Sequence, residues 1–391
     1  MKPTYKTTIN ACFTAYIVQA IINNFVPLLF ITFGTQYGIP LSRIALLVSA
    51  NFAVQLTVDF LATFFVDKIG YRASIMAGHI AAASGLCLLA VLPQLVDPFG
   101  GILAAVVVYA IGGGIIEVLV SPIMESCPAQ NKEKAMSLLH SFYCWGHAGV
   151  VLVSTLFFAL FGINNWHILA FLWAAVPVIN TIIFAKTPLA PLIPEGEKGM
   201  TLKQLAHTKA FWIFMVMMVC AGASEQSVSQ WASAFAEQGL GISKTMGDLA
   251  GPMVFALLMG ASRAIFASSE NKINLDRFMR FSAVGVLAAY IAASLAPHPL
   301  LNLAGCGLCG LCVGIMWPGT FSKGAAQIKN GGTAFFAFMA LAGDVGCSLG
   351  PGVVGLVTDV MGGNMKAGIL VSAVFPLVLL LCLIKRTDKN Y

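Results

Sequence analysis

Twelve apolar runs follow one another along this chain of 391 residues, each near or above the ~20 residues an α-helix needs to cross ~30 Å of hydrocarbon. They lie at about 9–33, 45–66, 74–95, 100–124, 135–161, 166–186, 210–237, 247–268, 276–296, 300–322, 332–358 and 364–384. Hydrophobic residues make up 58% of the chain and charged residues only 10%, whereas a water-facing protein carries about a quarter of its residues charged. In lipid the demand is different: each segment must satisfy its own backbone N–H and C=O groups, and a helix does so internally. The runs therefore predict an all-α integral membrane protein of twelve spans.

The longest polar stretch, 187–208, follows the sixth run and carries Pro188, Pro191, Pro194, Glu195, Glu197 and Lys198. It reads as a linker between two six-helix bundles, 1–186 and 209–391. Basic residues orient the chain, because cytoplasmic loops accumulate Lys and Arg. With the N-terminus inside, 18 of the 22 fall on the cytoplasmic side; Arg43, Lys244 and Lys366 fall outside, and Arg263 lies within a run. Both termini and the linker are then cytoplasmic, in a multi-pass protein of the plasma membrane, expected to be a bacterial inner membrane. The +6 net charge follows from this bias and needs no nucleic-acid partner. The first run exceeds 20 residues and lacks a small-x-small cleavage pattern, so it reads as a retained span.

Nothing in the chain points to chemistry on a cofactor. The ten cysteines lie nearly all within runs and read as reduced packing residues. Cys306, Cys309 and Cys312 form CxxCxxC, interleaved with Gly305, Gly307 and Gly310, which spell GxGxxG. A dinucleotide turn belongs between a strand and a helix, however, and small residues inside an apolar run let helices approach closely. No GxxxxGK occurs, and no nucleophile, base and orienting group stand at motif spacing. The expectation is no enzyme activity, no cofactor and no metal.

Five ionisable residues interrupt the runs: Asp59, Glu117, Glu225, Arg263 and Asp344. An ionised group near the bilayer centre costs at least ~2.5–3.5 kcal/mol, so each is a functional candidate. Counted from the run ends, Glu117 and Asp344 fall near the midplane, Asp59 and Arg263 nearer the cytoplasm, and Glu225 toward the outside. Glu117 is the expected proton carrier, its alternatives being an acid held neutral by a neighbouring helix or an acceptor for a solute hydroxyl that does not titrate. Asp59 reads either as a proton relay or as the partner of a cytoplasmic base. Arg263 reads as half of a buried pair, with Asp344 the expected partner. The two bundles also answer each other weakly: Gly-polar-x-Gly recurs at Gly146-His147 and Gly343-Asp344, setting His147 against Asp344.

After the second run comes Asp67-Lys68-Ile69-Gly70-Tyr71-Arg72, which resembles the cytoplasmic loop signature of the major facilitator superfamily, with Thr63 in place of its first glycine. The resemblance implies the major facilitator fold, two pseudo-symmetric six-helix bundles. It also implies a gating role for Asp67, Lys68, Gly70 and Arg72, with Asp67 and Arg72 in charge contacts that close the cytoplasmic side. Arg263 is grouped with these gating residues.

A further resemblance, to the fucose permease-like family of sugar:proton symporters, is spread over the chain. It is carried by Asn23-Asn24, Glu117 with Ser121-Pro122, Leu138-Leu139-His140-Ser141-Phe142-Tyr143, Gly222-Ala223-Ser224-Glu225 with Trp231, Gly260-Ala261-Ser262-Arg263, and Ile315-Met316-Trp317-Pro318. Relatives with an acid shortly after the paired asparagines would place it near Pro27, where this chain has none. The resemblance implies a cavity lined by the first, seventh and tenth runs, which supply Gln19, Asn23, Asn24, Glu225, Gln226, Gln230, Trp231 and Trp317; His147 and Asp344 complete the solute candidates. Flat rings suit the apolar face of a pyranose, and amides and carboxylates suit its hydroxyls.

The leading expectation is a monomeric secondary transporter that moves a small polar solute, a sugar, by alternating access with proton symport; sodium is the other coupling ion open to a carboxylate. A proton-coupled exporter of amphipathic compounds is the rival within the same class, and a non-transporting membrane sensor the rival outside it.

Overall fold

The computed structural model describes residues 4–39, 41–128, 131–190, 200–232, 235, 249–269, 273–362 and 364–387. Among them the ordered elements are helices. In the amino-terminal part these are α1 (Tyr5–Asn24), α2 (Phe30–Tyr37), α3 (Leu41–Ile69), α4 (Tyr71–Leu95), α5 (Pro98–Ser126), α6 (Lys132–Phe161) and α7 (Trp166–Lys186). After them come α8 (Leu202–His207), α9 (Lys209–Ser229), α10 (Val254–Ser268), α11 (Leu275–Leu295), α12 (Pro299–Val313), α13 (Met316–Gln327), α14 (Gly332–Val360), α15 (Met365–Ser372) and α16 (Val374–Thr387). Among the described residues, eleven helical segments are long and apolar enough to cross a membrane, and α3 contains the shorter apolar stretch Ala50–Ala62. The all-α membrane architecture expected from the runs is the one observed.

The helix limits follow from local chemistry. Pro98 opens α5 at a position where a missing N–H costs nothing, and the Asp97 carboxylate accepts from Gly100 N at 2.8 Å. Asn274 caps α11 in the same way, accepting from Arg277 N. Pro27 cannot donate into a helix, and the first run breaks there: a 3-10 turn, Val26–Leu29, separates α1 from α2. The α3–α4 corner turns at Gly70, whose φ of +90° is a region side chains rarely enter. Where α4 crosses α5, Gly85 lies on the backbone of Tyr109 and Gly112 on that of Ala82, so close that a methyl at either would overlap main chain.

The chain divides into two compact units. The first comprises Met1–Gln130, Trp145–Lys198 and Gly332–Phe338; the second comprises Asn131–Cys144, Gly199–Gly331 and Met339–Tyr391. Two helices are thus each split between them, α6 after Cys144 and α14 after Phe338. In the first unit α5 is the hub, packed on α4, α3 and α1, while α7 lies along α4. In the second, α12 packs on α11 and α10, and α9 on α16 and α13. Of the linker expected over 187–208, residues 191–199 lie outside the described residues; its later part forms α8, closed by a capping box between Thr201 and Gln204.

Candidate functional site

Polar side chains converge inside the first unit because they recur every four residues on helices that touch. Gln19 and Asn23 share one face of α1; Asn51, Gln55 and Asp59 share one face of α3; Glu117 projects from α5. Gln19 Nε2 donates both to Glu117 Oε2, at 2.9 Å, and to Gln55 Oε1, at 2.8 Å. Gln55 Nε2 donates to Asn23 Oδ1 at 2.9 Å, and Asn51 Nδ2 donates to the same oxygen at 3.0 Å. Gln19, Asn51 and Gln55 are buried, while Asn23 and Glu117 are half-buried. One carboxylate is therefore wired through two glutamines to two asparagines, across three helices. Asp59, fully buried, lies one turn beyond Gln55. Asn24 stands apart, its amide donating to Ala20 O within its own helix.

The second unit holds a buried ion pair. Arg263 of α10 meets Glu225 of α9, Nη2 to Oε2 at 3.1 Å, with side chains only 3% and 10% exposed. This corrects the expected Arg263–Asp344 pairing: α10 and α9 bring the guanidinium to the nearer acid, and Asp344, buried on α14, is not its partner. The remaining donors are also engaged. Nε donates to Gly314 O at 2.7 Å, and Nη1 to His140 O at 2.9 Å and to Cys144 Sγ at 3.1 Å. The arginine thereby fastens the first half of α6 to α10 and to the α12–α13 joint. Ser137 Oγ donates to Arg263 O, and the His140 ring stacks on Phe321. Glu225 Oε1 accepts from Gln226 Nε2 at 3.3 Å, and Gln230 donates onward to Gln226. Both Glu225 oxygens are thus occupied inside the protein, although the sequence placed this residue among the solute contacts.

The aromatic candidates are half-buried and anchored on α14. Trp231 Nε1 donates to Pro351 O at 3.2 Å, and the Trp317 ring fills the space a side chain at Gly343 would need. His147 belongs to the part of α6 in the first unit, and Asp344 to the second.

At the loop signature, the structure shows which groups Arg72 meets within its own unit. Its guanidinium donates to the carbonyls of Phe184, Ala185 and Thr187, at 2.6 to 2.9 Å, and so caps the C-terminus of α7 within its own unit. An always-charged fork beside the exposed carbonyls of a helix end meets its acceptors there. The side chain of Asp67 lies outside the described residues, and Lys68 is exposed.

Asn51 and Gln55 escaped the sequence reading, which looked for charges in α3 and passed over amides. Their signal was present: Asn51, Gln55 and Asp59, four apart, mark one polar stripe on an otherwise apolar helix. All ten cysteines are free thiols.

Comparison with known proteins agrees with this architecture. The family model of the Major Facilitator Superfamily matches residues 10–351. Membrane protein MosC of Rhizobium meliloti is 22% identical over 306 residues, 77% of this chain and 72% of that protein. Among solved structures, the transporter FucP in its outward conformation superposes with a TM-score of 0.83 at 15% identity, covering 98% of this chain and 99% of that one. The E. coli fucose:proton symporter FucP gives 0.80 at 15% identity over the same shares. The proton:xylose symporter XylE gives 0.79 at 12% identity, over 97% and 95%. At these identities the likeness to the solved structures is one of fold.

Proposed function

Since the chain belongs to the major facilitator superfamily, whose members are transporters, we propose that it moves a small polar solute, a sugar, by alternating access with proton symport. The observation that carries this reading is the amide–carboxylate network of α1, α3 and α5. Its one acid, Glu117, is half-buried in an apolar bundle and joined by hydrogen bonds to amides of the kind that recognise hydroxyls. Glu117 is the proton carrier in this scheme and Asp59 a relay. Gln19, Asn23, Gln226, Gln230, Trp231 and Trp317 supply the solute contacts. The Arg263–Glu225 pair sets which arrangement of α6 is favoured, because the guanidinium holds that helix by its backbone. Two structural neighbours of the same fold are named as sugar:proton symporters, which supports the choice of solute and of ion.

The test is transport in proteoliposomes with fucose, xylose and a wider monosaccharide panel under an imposed pH gradient. Wild type should concentrate its sugar only with the gradient. Glu117→Gln, which mimics the protonated acid, should exchange the sugar across the membrane yet fail to concentrate it. Full accumulation by Glu117→Gln at wild-type pH dependence would remove Glu117 from the mechanism.

A further inference from the structure

Two buried oxygens of the network, Gln19 Oε1 and Asn51 Oδ1, have no hydrogen-bond partner, and the first lies beside the acid. Gln19 is 1% exposed, and while its Nε2 donates twice, its Oε1 is a buried acceptor without a hydrogen bond. Such an orphan has lost its hydration with nothing in return, so an arrangement that brings a donor to it is favoured. The neighbouring acid has the complementary need. As a carboxylate, Glu117 accepts from Gln19 Nε2; once protonated, it carries an O–H that must donate to something.

We infer that Gln19 is a positioning residue that reads the protonation of Glu117 by rotating its carboxamide half a turn; this rests on the reading of Glu117 as the proton carrier. In the deprotonated state Nε2 faces Glu117 and Oε1 faces α5 at Gly113. A proton from water binds a Glu117 oxygen, the hydrogen bonds of Nε2 to Glu117 Oε2 and to Gln55 Oε1 both break, the new O–H donates to Oε1 as the amide turns, and the Gln55 amide turns with it so that its Nε2 donates to the same oxygen. Nε2 then occupies the place that Oε1 left. The space is there because residue 113 is glycine: a Cβ on it would lie 3.2 Å from Gln19 Oε1 and 3.3 Å from Gln55 Oε1. Gln55 therefore flanks the amide in either orientation, and the change passes through it to Asn23 and Asn51. No bond other than the carboxyl O–H is made. The titratable groups on the helices packed against α5 are Tyr5, Lys6, Cys12 and Tyr16 on α1, Arg43, Asp59, Asp67 and Lys68 on α3, and Tyr71, Arg72, His79 and Cys87 on α4, with Tyr109 and Glu125 on α5 itself and His147 on α6. Tyr16 is engaged with Ser121, and His79 with Ile75 O and Asn180.

The experiment is infrared difference spectroscopy of the full-length protein in lipid, stepped from alkaline to acidic pH, with and without glutamine carrying 13C in its side-chain carbonyl. Acidification of wild type should produce a protonated-carboxyl band that Glu117→Gln lacks. A component shifted by the glutamine label should accompany it, and be missing from both Gln19→Met and Glu117→Gln. Gly113→Ala keeps every polar group but crowds the place the –NH2 must take, so it should retain the carboxyl band and lose the labelled component. A labelled component that survives in Gln19→Met, or that wild type never shows, overturns the role of Gln19 while leaving Glu117 as carrier. A carboxyl band unchanged in Glu117→Gln overturns the carrier assignment itself.

Discussion

Removing both members of the Arg263–Glu225 pair should destabilise the second unit far less than the two single removals summed. Glu225→Ala leaves a guanidinium at 3% exposure with two carbonyls and no counter-charge, and orphaning one partner of a buried pair costs ~3–5 kcal/mol. Arg263→Met loses the bonds to Gly314 O, His140 O and Glu225; at about 1 kcal/mol for each carbonyl and more for the charged contact, the total again reaches ~3 kcal/mol or more. Glu225→Gln keeps an acceptor opposite Nη2 and should cost less than either. The double variant Arg263→Met, Glu225→Leu replaces charge by packed apolar volume and should fall short of the summed single effects by at least ~2 kcal/mol. Thermal unfolding of wild type, these four variants and Glu225→Leu alone in one detergent, followed by tryptophan fluorescence, ranks them and closes the cycle. Additive losses, or a Glu225→Ala as stable as wild type, would refute the pairing and with it the clasp on α6.

Arg72→Ala should lower the unfolding temperature and loosen the end of α7, with Arg72→Lys restoring only part of the loss, because one ammonium cannot span three carbonyls; hydrogen exchange around Phe184–Thr187 reads this directly. Gly70→Ala forces a side chain to φ +90° and should cost about 1–2 kcal/mol, seen as a lower unfolding temperature, and no loss at all would contradict the turn. Replacing Trp231 or Trp317 by Ala should weaken sugar binding by at least ~1 kcal/mol in a titration, and unchanged affinity in both would move the solute elsewhere. A reporter fused after Tyr391 and another inserted near Glu197 should both report cytoplasm; a periplasmic signal from either would overturn the orientation.

The class of this protein was decided in one dimension. Lipid requires every spanning segment to satisfy its own backbone, so length and hydropathy alone place the helices, although the break of the first run at Pro27 emerged only in the structure, where Pro93, Pro122 and Pro177 lie inside unbroken helices. Isolated charges in apolar runs were legible for the same reason, because each stands out against its own segment. Partnership was not legible, since it depends on which helix faces touch. Arg263 had acids on several spans to choose among, and only the packing of α9 against α10 selects Glu225. Arg72 was read as half of a charge contact with Asp67, and only the tertiary structure shows that the end of α7 lies within its reach. Asn51 and Gln55 are neutral and unremarkable along α3. They acquire meaning only when α1, α3 and α5 close around them, where a buried amide must find a partner and two buried oxygens, Gln19 Oε1 and Asn51 Oδ1, are left without any.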